Sequence, residues 1–191
     1  MISGIITVFN KLSPKTKIIG VEAEGAPAMF KSLEQKKIIE LNKIDNFVDG
    51  VSIKKIGKIP FEICKAHLDD LLVIPEGKIC QTILDLYNKD GIVVEPAGAI
   101  GISAFESYHE KFTNKNVGIL ICGGNNDIIR MSEIKERALL FSKLKHYFIV
   151  RFPQRSGSLK EFVNNVLGEN DDITFFAVSY THLRAHETIP D

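Results

Sequence analysis

Three short segments of this chain put small residues, carboxylates and a thiol where chemistry could be done. Ile121-Cys122-Gly123-Gly124-Asn125-Asn126-Asp127 closes an apolar run with two adjacent glycines, which let the backbone approach a flat ligand with no Cβ in the way. Cys122 can aim a weak sulfhydryl donor at whatever lies there, or serve only as a small buried hydrophobe before a Gly-Gly turn. Glu95-Pro96-Ala97-Gly98-Ala99 sets a carboxylate directly before a Pro-initiated helix of small residues. That carboxylate either meets a ligand or answers the helix dipole, an effect worth roughly 0.3–1 kcal/mol. Val21-Glu22-Ala23-Glu24-Gly25-Ala26 gathers carboxylates that could ligate a hard cation or simply be solvated, and two carboxylates alone are a weak metal signal.

The elements that must position these segments alternate strand and helix. Ile2, Ile5, Ile6, Phe9 and Leu12 follow the helical period. Residues 17–22 read as a buried parallel strand, and 27–35 as a helix with proline in its first turn. Residues 41–60 are turn-rich, with a short strand expected at 51–53, before helical spacing returns over 61–69. A second buried strand is expected at 71–74, followed by a helix in which Ile79, Ile83, Leu84 and Tyr87 share a face. A helix from Pro96 to about Phe112, a third buried strand at 117–121 and a charged helix over 131–143 complete the series. Such alternation specifies a parallel sheet covered by helices, with ligands at the strand ends. The pattern then changes. Residues 147–152 read as a strand and 158–167 as a helix with Ser158 as its N-cap, opening a second domain.

Composition narrows the function. Lys and Arg number 24 against 24 Asp and Glu, with the signs interspersed, so the electrostatic footprint of a nucleic-acid or anionic-membrane binder is missing. No apolar run approaches the roughly 20 residues that span a bilayer. The N-terminus lacks the basic region and cleavage site of a signal peptide, so a cytoplasmic address is expected. Cys64, Cys80 and Cys122 are an odd set with no C-x-x-C pair, which points to reduced thiols rather than a disulfide framework or structural zinc.

Taken together, the three segments in this order and spacing resemble the C-terminal half of the catalytic domain of the threonine dehydratase (threonine ammonia-lyase) family, fold type II pyridoxal-phosphate enzymes. Lys145-His146-Tyr147-Phe148-Ile149-Val150, Phe152-Pro153-Gln154-Arg155 and Gly168-Glu169-Asn170-Asp171-Asp172-Ile173-Thr174 resemble the start of the ACT-like regulatory domain of the family's biosynthetic members. The resemblance implies an α/β fold: a partial fold type II (tryptophan synthase β-like) parallel sheet with helices, followed by an incomplete α+β ACT-like domain. It places the catalytic part at residues 1–143, the start of the regulatory part at 144–176, and a tail matching nothing in the family at 177–191, expected to be an artefact of sequencing or assembly.

The resemblance also implies roles. Pyridoxal 5'-phosphate is the cofactor, Cys122 faces its pyridine nitrogen, Gly123, Gly124 and Asn125 lie close to its ring, and Glu95 and Gly98 lie near its edge. A thiol does not hold that nitrogen protonated as a carboxylate would, which weakens the ring as an electron sink and favours elimination over transamination. The implied reaction is deamination of L-threonine, or of L-serine, giving 2-oxobutanoate and ammonia from threonine. Isoleucine or valine is the implied effector of a full regulatory domain, and a homo-oligomer the implied assembly.

The Schiff-base lysine and the glycine loop that cradles the phosphate are expected upstream of the segment matching Ile2-Ser3-Gly4-Ile5, so no catalytic residue is assigned. Met1 is expected to be a truncation or a wrongly chosen start, and the chain alone to be inactive. Lys11, Lys31 and Lys143 are read as solvated surface residues. No metal is assigned either. Glu22 and Ala26 match cation-binding positions of serine racemase-like relatives, but the next acidic ligand falls on Ala28. His182 and His186 share a helical spacing with no third ligand. Two rival readings remain: another fold type II lyase or racemase acting on serine, and a noncatalytic amino-acid-binding regulator.

Overall fold

The computed structural model describes residues 1–153 and 155–178. Gln154, His182, His186 and most of the tail set apart above lie outside them. Two compact units are present, Met1–His146 and one beginning at Tyr147.

In the first unit, α1 (Ile2–Leu12) buries Ile6, as its helical period requires. Strand β1 (Ile19–Ala23) pairs in parallel with β2 (Asp70–Ile74), in a register running from Ile19 opposite Asp70 to Ala23 opposite Ile74. The crossover carries α2 (Ala28–Glu34) and α3 (Lys58–His67). Helix α4 (Glu76–Asp85) leaves β2 through Pro75 and ends in a π-helical turn, Leu86–Asp90, closed by left-handed Gly91. Then come α5 (Pro96–Ser107), the single turn α6 (His109–Phe112), a 3-10 turn at Ile128–Arg130 and α7 (Met131–Phe141).

Alternation along the strands divides the interior into two cores. Ile19, Val21, Ala23, Leu72 and Ile74 join Phe47, Ile79, Ile83, Val94, Ala99, Ile100 and Ile134 in the larger one. Leu71 belongs to the smaller one, with Ile6, Met29, Leu41, Ile56, Phe61 and Cys64. The second unit contributes α8 (Ser158–Val166). Its Phe152 and Phe162 rings meet edge to face with centroids 5.4 Å apart.

The mixed α/β character and parallel pairing agree with the sequence reading, but four local expectations are corrected. Residues 51–53 form no strand, and the pairing nearby is a single antiparallel bridge between Glu40 and Lys55. Residues 117–121 are extended but have no ladder partner among the described residues, and most are exposed rather than buried. Residues 147–152 likewise belong to no sheet among the described residues. β propensity alone does not make a strand, which needs a ladder of hydrogen-bonded neighbours. Ser158 is not the cap of α8. Gly157, at φ 88°, holds that position, and the Ser158 hydroxyl donates to the Pro153 and Arg155 carbonyls, each at 3.0 Å.

Candidate functional site

Two of the three segments singled out in the sequence meet. The Glu95 N–H donates to the Gly123 carbonyl at 3.1 Å, and the Asn126 side-chain amide donates to the Val94 carbonyl at 3.3 Å. These bonds lay the approach to α5 alongside residues 122–126. Gly98, buried in the first turn of α5, sits so close that a Cβ there would overlap the Cys122 carbonyl. Gly123 has a left-handed φ of 81°, and a Cβ on it would overlap the Glu95 carboxylate. Only glycine satisfies both demands at once.

The structure thus brings Glu95, Gly98, Cys122 and Gly123 together. Cys122 is half-buried and Glu95 is half-buried. Glu95 occupies the N-cap position of α5, at the positive end of the helix dipole, and its carboxylate makes no capping bond but lies against Gly123. Gly124 stands with its Cα facing the Val93 carbonyl, where a Cβ would come to 3.3 Å. Asn125 is exposed. Asn126, in the same motif, carries more of the geometry: its amide also reaches Met131 Sδ at 4.0 Å, and its Oδ1 is buried without a hydrogen-bond partner.

Sequence reasoning missed the wall behind Glu95. Gly50, read only as part of a turn, comes close enough that a Cβ there would lie 2.9 Å from Ala97 Cβ and 3.5 Å from Glu95 Oε1. Its loop is tied to α7 through Arg137, which donates to Asp45 Oδ2 at 2.9 Å. Burial alone would raise the Asp45 pKa, but the Arg137 bond and the Phe47 N–H hold it below the ordinary carboxylate value. The Asp49-Gly50 dipeptide signals a turn. Nothing local signals what the turn packs against.

The third segment does something else. Glu22 accepts from the Met29 and Phe30 N–H groups at 2.9 and 2.8 Å, so it satisfies the free donors at the start of α2. Burial raises its pKa, against the lowering effect of those two bonds. Gly25 N–H donates to Glu76 Oε1 at 2.6 Å. Among the described residues no group of three His, Cys, Asp or Glu side chains could hold a metal ion. Burial pushes the Cys80 thiol up to about 12 and raises Cys64 as well, which removes both from nucleophilic chemistry.

The meeting of the two segments sets glycine backbone, a half-buried thiol, a half-buried carboxylate and a buried amide oxygen without a hydrogen-bond partner close together. The donors named around this meeting are backbone and amide N–H groups and one thiol.

Among the described residues no helix is long and apolar enough to cross a membrane. The sequence model of the family described as "Pyridoxal-phosphate dependent enzyme" matches residues 1–123, and that of the "C-terminal regulatory domain of Threonine dehydratase" matches residues 136–187. The chain is 56% identical over 176 residues to "L-threonine dehydratase biosynthetic IlvA" of Halalkalibacterium halodurans, covering 92% of this chain and 42% of that protein. Among solved structures, the processed form of threonine deaminase isoform 2 from Solanum lycopersicum aligns with a TM-score of 0.67 at 33% identity, over 73% of this chain and 39% of that one. Maize serine racemase aligns with a TM-score of 0.62 at 26% identity, over 74% and 44%.

Proposed function

The chain belongs to the pyridoxal-phosphate dependent enzyme family, and from that premise we propose that it supplies the ring-facing side of the site that deaminates L-threonine to 2-oxobutanoate and ammonia in isoleucine biosynthesis. The observation that carries this reading is the hydrogen-bonded meeting of residues 94–98 with 122–126, which packs Gly98 against Cys122 and Gly123 against Glu95 and so brings the motif residues to one place. The match of residues 136–187 to a threonine dehydratase regulatory domain supports threonine over other substrates of the family. We assign residues 1–143 to the catalytic part and 144–176 to the regulatory part, and the protein to the cytoplasm.

Bound pyridoxal 5'-phosphate supplies an electron sink that lets a Cα proton and a β-hydroxyl leave. The chain's residues position it. Cys122 would offer the ring nitrogen a weak donor, Gly123, Gly124 and Asn125 would lie close to the ring, and Glu95 and Gly98 would lie near its edge. A thiol leaves that nitrogen less basic in effect than a carboxylate partner would, which directs the site toward elimination.

The chain spans 42% of the length of the curated relative, and the lysine and phosphate loop of the family pattern are not assigned to any of its residues. Titrating the chain with pyridoxal 5'-phosphate should therefore shift the amide resonances of Glu95, Gly98 and Cys122–Asn125 without producing 2-oxobutanoate. Joined to the remaining residues of a relative, it should turn over L-threonine faster than L-serine or D-serine. Preference for D-serine would favour the racemase reading that the maize likeness keeps in view. Isoleucine binding with no cofactor-induced shift would favour a noncatalytic regulator.

A further inference from the structure

The wall behind Glu95 is held by an arrangement that the ring-site reading does not use. Phe47 is buried, and two guanidinium groups lie over its ring, Arg137 with its carbon 4.3 Å from the centroid and Arg130 at 5.0 Å. Both cations are fixed by further bonds to the same loop. Arg130 donates to the Phe47 carbonyl at 2.5 Å and lies 3.6 Å from Asp49. Arg137 pairs with Asp45 at 2.9 Å and with Glu133, one turn back on α7, at the same distance. A planar guanidinium can stack on a ring and bond at its rim together, which an ammonium cannot.

Three residues along the same loop, Gly50 abuts Ala97 and Glu95. Loop 45–50 is therefore gripped on one side by the end of the 3-10 turn and α7, and pressed on the other against the start of α5.

We propose that Arg130 and Arg137 are positioning residues for the junction of residues 94–98 with 122–126: by gripping Phe47 they hold loop 45–50 as the backstop that keeps Glu95 against Gly123. The proposal rests on the reading of this junction as the ring side of a pyridoxal-phosphate site, but its geometry can be tested apart from that reading. The Glu95 N–H reports it directly, because its bond to the Gly123 carbonyl closes the junction. Arg130→Lys and Arg137→Lys keep the charge and lose the stacking plane.

In the full chain, amide hydrogen exchange followed by NMR should show the Glu95 N–H exchanging about fivefold faster in either variant, the size expected from weakening a partly exposed cation–π contact. Amides of the β1–β2 ladder should keep their rates. Unchanged protection at Glu95 in both variants overturns the proposal. So does equal acceleration at Glu95 and in the β1–β2 ladder, including outright failure to fold, since the arginines would then serve the whole unit and not the junction. Pyridoxal 5'-phosphate added to the unaltered chain tests the other layer. Absent shifts at Cys122 and Gly124 would sink the ring-site reading, while the exchange rates alone still decide the clamp.

Discussion

Residues 71–74 and 117–121 both read as short apolar runs at the end of which the chain turns and enters a helix, yet only the first lies in a strand, Asp70–Ile74. The run Asp70-Leu71-Leu72-Val73-Ile74 pairs along its length with β1, and Ile74 is 0% exposed. Val117-Gly118-Ile119-Leu120-Ile121 has no ladder partner among the described residues, and Leu120 and Ile121 are 55% and 45% exposed. It lies against α5, where a Cβ on Gly101 would meet Ile119 Cγ2 at 2.9 Å and the Leu120 carbonyl at 3.5 Å. Composition does not separate the two runs. What separates them is a neighbour that takes up N–H and C=O groups on one edge and a layer that covers both faces.

The difference should be large in energy. Ile74→Ala removes a side chain from the centre of the larger core and should destabilise the chain by about 2–5 kcal/mol. Ile121→Ala, on a half-exposed segment, should stay within about 0.5 kcal/mol. Urea unfolding followed by circular dichroism measures both, and equal losses would break the comparison.

A smaller effect is expected where the unpaired run ends. Gly98→Ala drives a methyl group into the Cys122 carbonyl, and rigid backbone on both sides leaves little room to yield. A loss of about 1–3 kcal/mol is expected, as for other overpacked sites. It should come with loss of protection at the Glu95 N–H, because the seam between the two segments must open. A silent Gly98→Ala would mean that the 122–126 segment is as loosely held as the run before it.

These cases also show what the sequence can carry. Helical periods at α1, α4 and α7 are legible because burial repeats within one element, and β1 and β2 are legible because their neighbours are both present. The close packing at Gly98 and Gly123 is foreshadowed by glycines and small residues at run ends, which have few other uses there. Roles set by distant partners leave no such trace. Phe47 lies in a stretch read only as turn-rich, and nothing near it in the sequence points to Arg130 and Arg137, more than eighty positions away, which lie over its ring. Glu22 reads as a possible ligand until Met29 and Phe30 are found to occupy both its oxygens. Ser158 has the right type for a cap, but the φ of 88° at Gly157 starts the helix one residue earlier.

The smallest expected change in stability tests the same comparison from the other side. An extended apolar segment with an unpaired edge is a template for pairing with another chain. In residues 117–121 the edge and the exposed Leu120 coincide. Leu120→Lys places a charge on that edge without removing any buried contact, so the unfolding midpoint should move by no more than the equivalent of about 0.5 kcal/mol. Self-association should nonetheless fall, because a second strand would have to bring its own backbone against a desolvated ammonium. Sedimentation velocity over a range of concentrations separates the two quantities. Reduced association at unchanged stability marks 117–121 as a strand waiting for its neighbour. If Leu120→Lys destabilises the chain as Ile74→Ala does, the run is already part of the core, and the contrast with β2 is one of hydrogen bonding alone.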